Sequence, residues 1–159
     1  MRVYVAGPLF TEAERDWLSA IGARLREAGL DPFVPHEHFE AMTDLTPDEV
    51  YRVDGDGLRE SNALLAWLDG PVIDDGTAAE IGMFAELVRS GDPRYRGIVG
   101  LATDLRIERR RGNTTGDGMN LFVIGAIRSA GTVCWSVEEA VAALHALAAA
   151  AAPRTFRLS

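Results

Sequence analysis

Six consecutive apolar residues, Ala63-Leu64-Leu65-Ala66-Trp67-Leu68, stand between Ser61-Asn62 and Asp69-Gly70. A strand with one wet face alternates polar and apolar side chains. An unbroken apolar run instead marks a strand covered on both faces, the centre of a parallel sheet with helices on either side. The rest of the chain supplies what such a sheet needs. Val3 to Ala6 is a short apolar run ended by Gly7-Pro8, Pro32 to Pro35 offers a second strand, Gly97 to Leu101 a fourth and Thr132 to Trp135 a fifth. Helical patterns fill the intervals. One opens at Thr11 and carries Trp17, Ile21 and Leu25 on one face to about Gly29; a second opens at Thr46-Pro47 and runs to about Ser61. Thr77 to Ser90 places Ile81, Phe84, Ala85 and Val88 on one side, Met119 to Ser129 forms another helix, and Ser136 opens the last, through Leu147.

Strands alternating with helices predict an α/β fold: a single domain with a five-stranded parallel sheet in the flavodoxin-like order 2-1-3-4-5 and helices on both faces. The domain is expected over 1–152, with 153–159 as a C-terminal tail. Such sheets bind ligands beyond the carboxyl ends of their strands, where the order reverses between strands 1 and 3. That puts the turn after strand 1, Gly7 to Phe10, beside the turn after strand 3, Asp69 to Thr77. Asp104 to Gly118 reads as a polar, glycine-bearing excursion.

Composition narrows the partners. A net charge of −8 opposes nucleic acid or an anionic membrane, which call for a basic footprint. Arg109-Arg110-Arg111 is the single basic cluster and reads as a solvated loop. The lone cysteine, Cys134, sits in an apolar setting and excludes an internal disulfide or a cysteine cage. The N-terminal apolar run is too short for a signal peptide or a membrane span, so a cytoplasmic protein is expected. His36 and His38 bracket Glu37 but lack a third ligand, and they read as exposed loop residues. No metal and no cofactor is expected.

The chemistry concentrates in Asp74-Asp75-Gly76-Thr77-Ala78-Ala79-Glu80. Thr77 and Glu80 have the spacing of a capping box, as do Thr11 with Glu14, Thr46 with Glu49 and Ser136 with Glu139. Glu80 is not read as structural alone because Asp69, Asp74 and Asp75 crowd the same turn, where carboxylates repel one another for no structural return. Chemistry at an anomeric carbon needs such a turn: one carboxylate attacks the sugar while another acidic group protonates the departing base. Glu80, taken to lie in the first helical turn, would be held anionic by the helix dipole, and Asp74 would reach the base. Gly76 would let a flat ring approach the backbone.

Tyr4-Val5-Ala6-Gly7-Pro8-Leu9-Phe10, Asp54 ahead of Asn62, Asp74-x-Gly76-Thr77-x-x-Glu80-Ile81-Gly82 and Asn120-Leu121-Phe122 together resemble the nucleoside 2-deoxyribosyltransferase family, over residues 1 to about 140. The resemblance implies transfer of 2-deoxyribose between nucleobases through a covalent intermediate on Glu80. Tyr4 would orient Glu80, while Asp54 and Asp74 would bind the base and supply its proton. Gly7, Phe10, Asp75 and Gly76 would shape the substrate site. In the family, the asparagine corresponding to Asn120 reaches a neighbouring subunit's sugar 5′-hydroxyl, so a homo-oligomer, at least a dimer, is implied; Phe122 stands where some members have methionine. Plainer readings stay open: Tyr4 as core, Asn120 as a helix cap, Asp54 as a surface residue with Asp56 its register-shifted equivalent. Three other functions also stay open: a hydrolase of nucleosides or nucleoside 5′-monophosphates, a non-catalytic nucleotide-sensing module, and a Mg²⁺-dependent phosphatase.

Overall fold

The computed structural model describes residues 1–39, 45–105 and 118–150. Five strands, β1 (Arg2–Ala6), β2 (Asp31–Phe33), β3 (Ala63–Trp67), β4 (Gly97–Leu101) and β5 (Gly131–Cys134), form one sheet. All its pairings are parallel and its order is β2-β1-β3-β4-β5. The apolar hexamer is thus the middle strand, flanked by β1 and β4. Alternation along β1 divides the core: Tyr4 and Ala6 pack on one face of the sheet, Val3 and Val5 on the other. Helices α1 (Glu12–Glu27) and α6 (Val137–Ala149) cover the Val3 face through Leu18, Ile21, Leu25, Ala140 and Leu144. Helices α3 (Pro47–Glu60), α4 (Asp75–Arg89) and α5 (Leu121–Ala130) cover the Tyr4 face through Leu58, Ile81, Phe84, Ile124 and Ile127.

The helix starts correct the sequence pattern in an instructive way. Thr11 with Glu14 and Thr46 with Glu49 form complete capping boxes. Ser136 caps α6, but Glu139 turns its carboxylate to the Trp135 N–H, so that box is half made. Thr77 caps nothing. Asp74 is the cap of α4: its Oδ2 accepts from the Thr77 N–H at 2.9 Å and from the Thr77 hydroxyl at 3.0 Å, and Thr77 is buried as the donor. The helix therefore begins at Asp75, and Glu80 sits in its second turn.

A short helix absent from the sequence reading, α2 (Pro35–Phe39), follows β2. Its histidines are therefore helical and not loop residues, and of the two only His38 is exposed as expected. His36 is buried with Nε2 2.9 Å from the Ser19 hydroxyl, and His38 stacks on Phe33 with ring centroids 4.1 Å apart. The basic cluster Arg109 to Arg111, most of the polar excursion and the tail 153–159 lie outside the described residues.

Candidate active site

The sheet and the two helices α3 and α4 bring Tyr4, Glu80, Asp54 and Asp74 to one place. Tyr4, in the middle of β1, is fully buried and points to the α3/α4 side. Its hydroxyl donates to Glu80 Oε1 across 2.5 Å. Asp54 lies on α3, which packs against both β1 and α4, and its Oδ1 is buried without a hydrogen-bond partner. Asp56 is not the inward residue: it is exposed and meets Arg59 at 3.3 Å.

Burial dominates the electrostatics of the cluster. It pushes Glu80 up to about 7; the Tyr4 hydrogen bond opposes the rise, while the charges of Asp54 and Asp74 add to it. Burial likewise pushes Asp54 up to about 6. The Tyr4 phenol is driven well above its ordinary value by burial and then by the charges of Glu80 and Asp54, so it stays a donor. The expectation that the helix dipole holds Glu80 anionic is overturned, because the dipole acts within the first turn and Glu80 lies one turn further in. The result is a carboxyl poised between its two forms near neutrality.

The other acidic residues of the turn divide their labour. Asp69 clamps the sheet: its carboxylate accepts from the Thr103 N–H at 2.7 Å, the Asp104 N–H at 2.9 Å and the Thr103 hydroxyl, tying the end of β3 to the end of β4. It has a structural return that the sequence did not reveal. Asp75 and Gly76 are exposed, with the Asp75 carboxylate turned to the Gly76 N–H. Gly7 is held by close packing, since a Cβ there would stand 2.8 Å from Leu18 and 3.3 Å from Trp67. Phe10 projects from the same loop, 73% exposed.

Asn120 caps α5, its Oδ1 accepting from the N–H groups of Phe122 and Val123, and Phe122 stands 84% exposed. These two are not brought to Glu80 within one chain. Asn120 lines a cleft of about 160 Å³ shared with the turn Gly70 to Ile73, Ala78 and Val123. Ala78 and Glu80 are two positions apart on α4, hence on nearly opposite sides of it, so the cleft and the carboxyl cluster flank the start of the helix. That volume is below the 300–1,000 Å³ or so of a ligand site and makes it a part of one at most.

Phe33 is the residue the sequence reading missed. Its ring stacks on Tyr4 at 5.3 Å, and the signal for it was the mid-helix Gly57, whose place a Cβ would crowd against the ring. Among the described residues no group of three or more His, Cys, Asp or Glu is placed to hold a metal ion.

The family model described as nucleoside 2-deoxyribosyltransferase matches residues 3–122. No curated protein matches the chain. Among solved structures, a conserved protein from Enterococcus faecalis V583 superposes with a TM-score of 0.74 at 25% identity, covering 92% of this chain and 98% of that one. A 2-deoxyribosyltransferase from Bacillus psychrosaccharolyticus gives 0.64 at 17% identity, covering 87% and 89%. A CMP N-glycosidase from Clostridium botulinum gives 0.58 at 17%, covering 92% and 99%. The family match spans most of the chain and includes Tyr4, Asp54, Asp74 and Glu80, and on that match the chain belongs to the nucleoside 2-deoxyribosyltransferase family.

Proposed function

We propose that this protein is a cytoplasmic salvage enzyme that moves 2-deoxyribose from one nucleobase to another by double displacement, with Glu80 as nucleophile. The observation that carries this reading is the 2.5 Å bond from the Tyr4 hydroxyl to Glu80 Oε1 beside the unpartnered buried oxygen of Asp54. Tyr4 fixes one carboxylate oxygen and leaves Oε2 to attack C1′ of the sugar. As the glycosidic bond breaks, its electron pair goes to the base, which takes a proton from Asp54; burial favours the protonated form of that carboxyl. Asp74 spends Oδ2 on the helix cap, which leaves its other oxygen to bind the base. A second base then attacks C1′, its proton returns to Asp54, and Glu80 leaves. Two inversions give net retention.

Gly7, Phe10, Asp75 and Gly76 line the approach of the substrate in this reading. The oxygen of Asn120 is committed to its cap, so the Nδ2 donor would meet the 5′-hydroxyl held by a second copy, with the exposed Phe122 and Leu121 at the interface of a homo-oligomer. The Thr77 hydroxyl is spent on Asp74, which supports a 5′-hydroxyl over a 5′-phosphate as the group recognised near this turn.

The test is incubation with a deoxynucleoside and a second free base, followed by mass spectrometry of the protein. Exchanged nucleoside and a deoxyribosyl adduct on Glu80 are expected. Free sugar without exchange would make the protein a hydrolase, and nucleoside binding with no turnover would make it a sensing module.

A further inference from the structure

Asp54-Gly55-Asp56-Gly57 puts two glycines in the middle of α3, where glycine is the poorest helix former after proline. Neither is among the glycines with positive φ, so the backbone does not demand them. A mid-helix glycine that the backbone does not require points to a packing cause. At Gly55 a Cβ would meet the Arg59 guanidinium at 3.2 Å, the free end of a flexible side chain that can move aside. At Gly57 it would stand 2.5 Å from Cε1 and Cζ of Phe33. That ring, unlike the arginine tip, is itself buried and packed on by its neighbours. One face is stacked on Tyr4 at 5.3 Å and 17°, the His38 ring lies against it at 4.1 Å and 11°, and the Arg2 guanidinium sits 5.5 Å from its centroid.

Gly57 is three residues beyond Asp54, hence on the same face of α3 and one turn away. The next turn on that face is fixed as well, because the Ser61 hydroxyl donates to the Gly57 carbonyl at 2.8 Å. We propose that Phe33 is the spacer of the reacting cluster: its face locates Tyr4, and its edge, seated on the bare Cα of Gly57, sets how closely α3 brings Asp54 to Tyr4 and Glu80. Phe33 and Gly57 touch no substrate; they are positioning residues, and their role in turnover rests on the reading of Tyr4, Asp54 and Glu80 given above.

The spacer can be tested in the full chain by following the Asp54 carboxyl through a ¹³C titration, alongside base-exchange kinetics. The titration is read with Tyr4, Glu80 and Asp74 as the ionisable groups sharing the cluster, and with His38 and Arg2 packed against the spacer. In Gly57→Ala the added methyl pushes α3 outward, and Asp54 titrates below the wild-type value of about 6 as water reaches it. Phe33→Leu leaves a gap and shifts Asp54 in the same direction. Combining the two fills the gap and returns Asp54 toward wild type, which a general loss of stability would not do. Gly55→Ala titrates as wild type. In kinetics, Gly57→Ala lowers kcat roughly ten- to a hundredfold with little change in KM.

Should Gly57→Ala fail to fold, Phe33→Leu alone decides the matter. A folded Gly57→Ala or Phe33→Leu single variant in which Asp54 titrates as in wild type overturns the spacer. A wild-type chain that exchanges no base removes the proposed reaction and leaves the titration to judge the spacer.

Discussion

Tyr4 is fully buried and Glu80 largely so, and the phenol is the donor that eases the charge on Glu80 Oε1. Tyr4→Phe removes it and should raise the Glu80 pKa above about 7. A hydrogen bond to a charged group contributes about 1.5–3 kcal/mol, so kcat/KM at neutral pH should fall roughly 10- to 100-fold. Part of the loss should return at higher pH, where Glu80 ionises unaided; a flat ratio between variant and wild type across pH would deny Tyr4 this role. The two carboxyls also set the shape of the wild-type profile. The proposed reaction requires Glu80 ionised and Asp54 protonated, so on that reading kcat/KM should be bell-shaped and peak between about 6 and about 7. Because the two groups feel one another's charge, the limbs belong to the pair. Asp54→Asn should abolish the falling limb.

At the scale of the element, α4 is started by Asp74 and not by the residue its sequence pattern suggested. Asp74→Ala should cost about 0.5–2 kcal/mol in chemical denaturation through loss of the cap, whereas Asp74→Asn, an equally good cap, should hold stability. Asparagine also removes a charge that raises Glu80, so the rising limb of the profile should move to lower pH in that variant. Equal losses of stability in both variants would contradict the cap. The misreading has a plain cause. Thr77 and Glu80 carry the right spacing for a box, but the Thr77 hydroxyl is turned back to the preceding Asp74, and spacing alone does not tell which of two neighbouring polar residues takes the cap. The same limit hid the clamp made by Asp69, whose partners Thr103 and Asp104 are remote in the chain and adjacent only once β3 and β4 pair. Strands and most helices were legible because each shows its own period. Phe33 was not, because a glycine in mid-helix signals a close approach without naming the ring that makes it.

For the whole molecule, the buried carboxyls act on stability as well as on chemistry. Below about 4.5 Glu80 is protonated in both the folded and the unfolded chain, and it contributes nothing. Above about 7 it is ionised in both, and the folded chain bears the full cost of holding a charge away from water. Asp54 adds a smaller contribution of the same sign between 3.8 and about 6, reduced by its partial contact with solvent. Glu80→Gln should therefore stabilise the protein at pH 8 by on the order of 2–3 kcal/mol, and the gain should fade as the pH is lowered toward 4.5. Thermal melts of the two proteins at both ends of that range would show it; a gain independent of pH would mean that Glu80 is not the group that pays. The middle strand is packed on both faces, and that was evident in the unbroken run Ala63 to Leu68. Placing the start of α4 at Asp74 also separates two lengths of chain with opposite tolerance for insertion. Residues added between Gly70 and Ile73 would enlarge the mouth of the site and leave the helix in phase, whereas one residue added between Asp74 and Glu80 would swing the carboxyl about 100° away from Tyr4. Substrate range in this scaffold is thus free to diverge by changes in loop length ahead of the cap, while the spacing behind it is locked.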